Sequence, residues 1–427
     1  MFKLRCLNLI GLFVPILLFA QKEEKIYRHF KTQEAIEMVK KSNPEYNKKL
    51  EEMDKAIEGF VSNDDQSLQI PIVFHIISLP DSPVLDEEQV KSQLETLNKY
   101  FLKYNNELKE YPTKEVEKFY QQGVDIGLSF CVPTKINDIA GINFIKTDTK
   151  TWKAYNDVKD PGKGGFAPID PDHIINVWVC NLDDQNAGYA LLPSADKSID
   201  GIVIDFKFFG NEKGTAKAPY TEGKTLVHLV GNYLGLYDLW NDYNYCTDDK
   251  VADTPIHNAP NDIISTEKEH RHISMCQNEF LEMYMNFMDN TTDNLLTLFT
   301  KGQKNRIWAV LSEKGSRATM GKGELACSNF NTFVSSRQMA IGNNKLALYP
   351  NPTSNEVMLD ITSIEKGNAN ITFLNSVGVV VLQQNYTMEK GIQRLTVDCS
   401  SLLNGLYFVK VQFADKFQIT KNLSIQH

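Results

Sequence analysis

The stretch from Lys224 to Trp240, KTLVHLVGNYLGLYDLW, limits what this chain can fold into more than any other. Leu226, Val230, Tyr233 and Leu234 recur at the spacing of one helical face, so residues 223–234 are predicted to form a helix with its apolar stripe turned to a core. Gly235 ends that helix, because glycine readily adopts the left-handed conformation that closes a last turn. His228 and Asn232 stand four residues apart and share a helical face, and a sharp turn at Gly235 can bring Asp238 back towards them.

This frame matches the pattern H-E-x-x-H-x-x-G-x-x-H, in which two helical histidines and a third beyond the glycine hold zinc while the glutamate serves as general base. Here His228 takes the first histidine position, Leu229 the glutamate, Asn232 the second histidine, Gly235 the glycine and Asp238 the third histidine. Catalytic zinc needs three protein ligands and an open position for water, and a neutral amide is a poor ligand. His228 and Asp238 with an asparagine between them should hold zinc far more weakly than three imidazoles. Leu229 can neither take a proton from bound water nor return it, and a positioned acid/base group is typically worth ~10² to 10⁴ in rate. A single histidine on an apolar helix is more often a hydrogen-bonded core residue than a ligand.

Other segments extend the comparison: IPIVFHIIS from Ile70, INVWVCNL from Ile175, GYALLP from Gly188, DGIVID from Asp200, DDKVADTP from Asp248, and MYMNFMDNTTDN from Met283 to Asn294. With the helix, they make the chain resemble the pappalysin (cytophagalysin-like) family of metzincin metalloendopeptidases. The resemblance implies an α/β metzincin-like fold over residues 67–330, a Met-turn at Met288, a peptide cleft, and zinc in active members. With Leu229, Asn232 and Asp238 in the positions that matter most, the expectation for this chain is no cofactor and a pseudopeptidase that binds a peptide or protein without cutting it. Calcium is a second metal that some relatives bind, and the carboxylate-rich pieces 181–186 and 246–250 could supply oxygen ligands. Residues 21–66 lie where the family carries a pro-segment. That segment can hold a zinc-capping cysteine, but no cysteine occurs between Cys6 and Cys131, and RHFKT from Arg28 stands where such a motif would lie.

The opening MFKLRCLNLIGLFVPILLFAQ places Lys3 and Arg5 ahead of an apolar run and Ala20 before polar residues, the layout of a signal peptide over residues 1–20. No other stretch approaches the ~18 apolar residues of a transmembrane helix. The balance of 45 basic against 54 acidic residues, a net charge of -9, argues against nucleic acid as a partner. Of seven cysteines, six remain after loss of Cys6: Cys131, Cys180, Cys246, Cys276, Cys327 and Cys399. Export makes disulfides possible, and six cysteines allow 15 pairings that spacing alone does not resolve. The family resemblance favours Cys246 with Cys276, whose loop is similarly stapled there; Cys180, inside an apolar strand, is expected to be a buried thiol.

Along the chain, Ile70–Ile77 reads as a strand buried on both faces, and Asp86 with Gln89 opens an amphipathic helix over 87–104. Strands are predicted over 124–131, 175–181 and 201–206, a Gly/Pro/Asp loop over 160–172, and a capped helix from Thr300 to near Gly315. His270 and His272, two apart in a charged stretch, read as solvated and not as ligands. Residues 331–344 read as a linker. From 345 onward short alternating runs, among them Val357/Leu359/Ile361, Val379/Val381 and Tyr407/Val409/Val411, predict a small all-β sandwich. Its opening LALYPNPTSNEV and later SSLLNGLYFVKV resemble type IX secretion sorting domains. That resemblance implies the type IX secretion machinery as a partner and a secreted or cell-surface location over 345–427. An active zinc endopeptidase with an unusual ligand set, and a structural surface protein, are the alternatives to the pseudopeptidase.

Overall fold

The computed structural model describes residues 26–322 and 346–427, apart from 82–84, 103–113, 137, 154, 184–185, 212–214, 263–272, 277–279, 364–365, 376–378, 390 and 414–416. The predicted signal peptide and linker, His270 and His272, Cys327 and part of 181–186 therefore lie outside the described residues.

The first part is built on a seven-stranded sheet whose axis is β2 (Leu68–Ser78). Here β1 is His29–Phe30, β3 Leu128–Cys131, β6 Ile142–Lys146, β7 Ile175–Cys180, β8 Asn186–Ala190 and β9 Ile202–Asp205; a two-residue hairpin, β4 (Lys135–Ile136) and β5 (Ile139–Ala140), lies apart. The order is β1-β8-β9-β7-β2-β3, with β6 pairing the far end of β2. All these pairs are parallel except β8 with β9. The apolar run in β2 has a direct cause, since its alternate side chains enter different cores. Ile70, Ile72, Phe74 and Ile76 join the larger one, while Ile77 faces a second core on the opposite side.

The larger core is closed by α3 (Glu87–Phe101), α5 (Lys224–Tyr233) and α6 (Lys301–Leu311). The caps are as expected at Thr300, where both halves of the capping box form. At Asp86 only half forms: its carboxylate accepts from the Gln89 amide at 2.8 Å, but the Gln89 side chain instead donates to the Phe209 carbonyl at 2.8 Å. Burial diverts that side chain, because the Phe209 carbonyl beside it has to be satisfied. The strand expected over 124–131 begins only at Leu128. Val124 and Ile126 give their amides to the Phe299 and Phe101 carbonyls, and Gly127 at φ +80° turns the chain into the sheet.

The second core is the unexpected one. It joins Trp178, Cys180, Tyr189 and Val203 of the sheet to Ala35, Ile36 and Val39 of α1 (Thr32–Ser42) and to Tyr46, Leu50 and Met53 of α2 (Pro44–Ile57). A short α4 (Lys114–Gln121) lies beyond α3, and β10 (Ile273–Ser274) pairs with β11 (Phe280–Leu281). The Tyr46 hydroxyl donates to the Leu192 carbonyl at 3.0 Å, and Asp54 pairs with Arg306 of α6 at 2.5 Å. The N-terminal helices are thus one face of the fold. Cys246 and Cys276 are bonded with 5.4 Å between Cα atoms, and Cys180 is a free, buried thiol as expected. No helix among the described residues is long and apolar enough to cross a membrane.

Residues 346–427 form two antiparallel sheets around one core. One is β12 (Leu346–Tyr349), β13 (Glu356–Ser363) and β16 (Gly391–Asp398); the other runs β15 (Val380–Met388), β14 (Gly367–Asn375), β17 (Gly405–Phe413), β18 (Phe417–Ile425). Val357, Leu359, Ile361, Val409 and Val411 face inward as their alternation predicts. Val379 and Val381 do not: both are exposed, Val379 ahead of β15 and Val381 as the extra residue of a bulge where the pairing steps from Phe373–Leu382 to Leu374–Val380.

Leu50→Ala should lower the stability by about 2–5 kcal/mol, the usual cost of emptying a fully buried leucine site. Denaturant unfolding checks this; a loss near zero would place α2 outside the cooperative unit.

Candidate functional site

Helix α5 is buried along all ten of its residues, as an apolar stripe with small and aromatic fillers requires. It ends in the expected glycine turn. The Leu236 amide reaches back to the Gly231 carbonyl at 3.0 Å while Gly235 sits at φ +97°. The turn carries Asp238 back under the helix, so His228, Asn232 and Asp238 meet. Gly231 allows the Met288 segment to press against α5: a Cβ there would lie 2.5 Å from the Met288 sulfur.

The three side chains form a closed hydrogen-bonded group. His228 is fully buried, with Nδ1 2.9 Å from the Phe287 carbonyl and Nε2 3.0 Å from Asp238 Oδ1. A carbonyl only accepts, so Nδ1 carries a hydrogen and donates to Phe287. Asn232 donates to the same Oδ1 at 2.8 Å and to the Leu236 carbonyl at 3.2 Å. Leu229 is fully buried in the larger core, beside Gly188 of β8.

The N-terminal segment completes the group. β1 forms the edge of the sheet, parallel to β8, with His29 opposite Asn186 and Phe30 opposite Gly188. Alternate residues of an extended chain point the same way, so Arg28 and Phe30 both turn into the cleft, and Thr32, the first residue of α1, reaches it too. The Phe30 ring stacks on the His228 imidazole, 3.8 Å between centroids and 8° from parallel, with Trp240 at 6.4 Å. Thr32 donates to Asn232 Oδ1 at 3.1 Å, and Gln33 to Asp238 Oδ2 at 3.1 Å. Arg28 is buried in an ion pair with Asp293 at 2.7 Å, donates to the Thr291 carbonyl and to Thr225 Oγ1, and lies 4.7 Å from the Tyr220 ring centroid. A recess of about 150 Å³ opens beside Thr32, Asn232, Asp238 and Asp248.

The sequence thus placed His228, Asn232 and Asp238 together, with Met288 beneath. It missed Arg28, Phe30, Thr32, Gln33 and Asp293. The available signal was the i, i+2, i+4 spacing of Arg28, Phe30 and Thr32. Among the described residues, no three His, Cys, Asp or Glu side chains lie close enough together to hold a metal ion. At 246–250, Asp248 accepts from the Lys250 amide, and Asp249 accepts from Thr254 and the Val251 amide. Next to Met288, burial pushes the Asp289 carboxyl up to about 8, against hydrogen bonds from Asn261 and Asn290 that pull it down.

Comparison with known proteins bears on the fold and on the C-terminal unit. A family model for the secretion system C-terminal sorting domain matches residues 347–426. An extracellular metalloprotease of Arthroderma otae is 31% identical over 175 residues, which are 37% of this chain; the chain spans only 58% of that relative's length. Mature mirolysin of Tannerella forsythia, solved with a cleaved peptide, superposes with a TM-score of 0.55 at 29% identity, covering 62% of this chain and 98% of that one. The fold is that of a metallopeptidase. A promirolysin mutant from the same organism superposes with a TM-score of 0.59 at 28% identity and covers 67% of this chain and 95% of that one. The sorting domain implies type IX secretion and an extracellular or cell-surface location.

A carboxyl titrating near 8 when folded and near 4 when unfolded adds stability at low pH that is lost as pH rises through this window. The stability of the wild type relative to Asp289→Asn should therefore fall between about pH 4 and 8, by at most about 1.4 kcal/mol per pH unit, and level off above. Denaturant midpoints of both proteins across that range check it; a flat difference would contradict it.

Proposed function

We propose that this chain is an exported pappalysin-type metallopeptidase homologue whose peptidase site is silent. On this reading residues 67–330 are the metallopeptidase-like unit, 21–66 a resident form of the family's pro-segment, 331–344 a linker and 345–427 the sorting unit. The cleft receives a peptide or protein segment in place of its own N-terminal strand.

The observation that carries the proposal is the state of His228. Both ring nitrogens are engaged, one by the Phe287 carbonyl and one by Asp238, and the Phe30 ring covers the imidazole. The donor set supports the same reading. An Asn232 amide whose hydrogens and oxygen are all in use, and an Asp238 carboxylate receiving His228, Asn232 and Gln33, do not fit a catalytic zinc with its open water position. Leu229 in the general-base position has no group to take a proton from water, with or without a metal. Binding is supported by what the cleft still offers: the free edge of β8 once β1 leaves, an acidic pocket at Asp293 now filled by Arg28, and an aromatic seat now filled by Phe30.

The full chain, incubated with denatured protein substrates, should show no hydrolysis above that of His228→Ala, with or without added zinc and before or after nicking of its N-terminal segment. Cleavage that a chelator stops and that His228→Ala abolishes would sink the proposal in favour of an active enzyme with an unusual ligand set.

A further inference from the structure

In the described part of residues 346–427, the large apolar side chains left exposed are Val379, Val380, Val381, Leu403 and Leu406. Strand pairing gathers them at one end of the four-stranded sheet. Leu374 of β14 pairs with Val380 of β15 on one side and with Phe408 of β17 on the other. Directly paired residues share a face, and the adjacent pairs Phe373–Val409 and Phe373–Leu382 point into the core, so Val380, Leu374 and Phe408 form a row on the outer face. Leu406 follows two residues along the same strand and therefore on the same face. Val379 and Leu403 lie at the same end of the sheet but are tied to residues of its inner face, Val379 by paired hydrogen bonds with Asn375, both 2.9 Å, and Leu403 by the Tyr407 hydroxyl at 2.8 Å. The C-terminal His427 lies at this end too, its amide donating to Asn404 at 2.8 Å.

Further along, the same outer face changes character. Thr372 stands between Gln383 and Lys410, and Asn370 between Asn385 and Gln412. The outer face thus carries an apolar row across β15, β14 and β17, bordered by Asn422 and Ser424 of β18, and a polar remainder; clustered exposed apolar groups of this kind mark interaction surfaces.

We propose that this apolar end is the surface by which the sorting domain docks on the type IX export machinery, against a partner face that is itself apolar and uncharged. The choice of occupant rests on the match of residues 347–426 to a secretion sorting domain. Such a domain works by being recognised, and this cluster is the apolar surface that its described residues present. Val380, Leu374, Phe408 and Leu406 carry no charge, which predicts recognition of this row by shape and apolar contact more than by electrostatic steering.

The test uses the full chain in a host that carries type IX secretion, comparing the wild type with Val380→Gln/Leu406→Gln and with a control on the polar half, Gln383→Ala/Asn385→Ala. The apolar-end variant should reach the medium or cell surface about tenfold less, accumulating inside the outer membrane, as expected when interface anchors are lost. The control should be exported normally, and all three proteins should melt alike once purified. Normal export of the folded apolar-end variant would overturn the proposal, as would an equal loss in the control. Normal export together with a wild-type dimer that the variant breaks would make the surface a contact between copies instead. Should the double variant fold poorly, Val380→Thr and Leu406→Thr, which keep strand-compatible side chains, are read the same way: folded but normally exported single variants also overturn it.

Discussion

A fully buried imidazole must find a partner for each of its nitrogens, and most of what is distinctive in this structure follows from how His228 does so. One nitrogen takes the Phe287 carbonyl next to Met288. The other takes Asp238, which the Gly235 turn returns to the helix. Asn232 then shares the carboxylate, and Thr32 and Gln33 complete the remaining amide and carboxylate oxygens. The group is self-satisfied and dry on the Phe30 side. A partly satisfied polar network in such a place would be costly, whereas a complete one fixes its members in one arrangement.

That completeness depends on the N-terminal segment, which is therefore more than a cover. The same segment that sends Phe30 and Thr32 to the cleft also supplies Ile36, Val39, Leu50 and Met53 to the second core, and Asp54 to Arg306. Arg28 and Asp293 are both buried, so removing one alone would strand a charge. Separation of the segment from the sheet would expose apolar surface at one end and unpaired polar groups at the other. A ligand for the cleft must offset both, which sets a high threshold for displacement.

The helix and turn around His228 were legible in the sequence because periodicity and glycine chemistry are local. So were β2, β7, β9 and the inward alternation of the tail, where a buried face dictates the pattern. Three features were not legible. Leu128 starts its strand late because Gly127 and two carbonyls from distant elements decide the chain's path there. Val379 and Val381 are exposed because one precedes β15 and the other is the extra residue of a bulge within it. Arg28, Phe30 and Thr32 showed no apolar pattern of their own, because their partners Asp293, His228 and Asn232 lie about 200 or more residues away.

The central claim is that hydrogen bonds and an aromatic ring satisfy His228 where a metal would otherwise sit. The most direct test is zinc content by mass spectrometry of the purified full chain after equilibration with zinc and removal of the excess. The account predicts less than about a tenth of an equivalent, unchanged by His228→Ala, since two weak donors do not retain zinc as three imidazoles do. Close to one equivalent in the wild type, lost in His228→Ala, would contradict it.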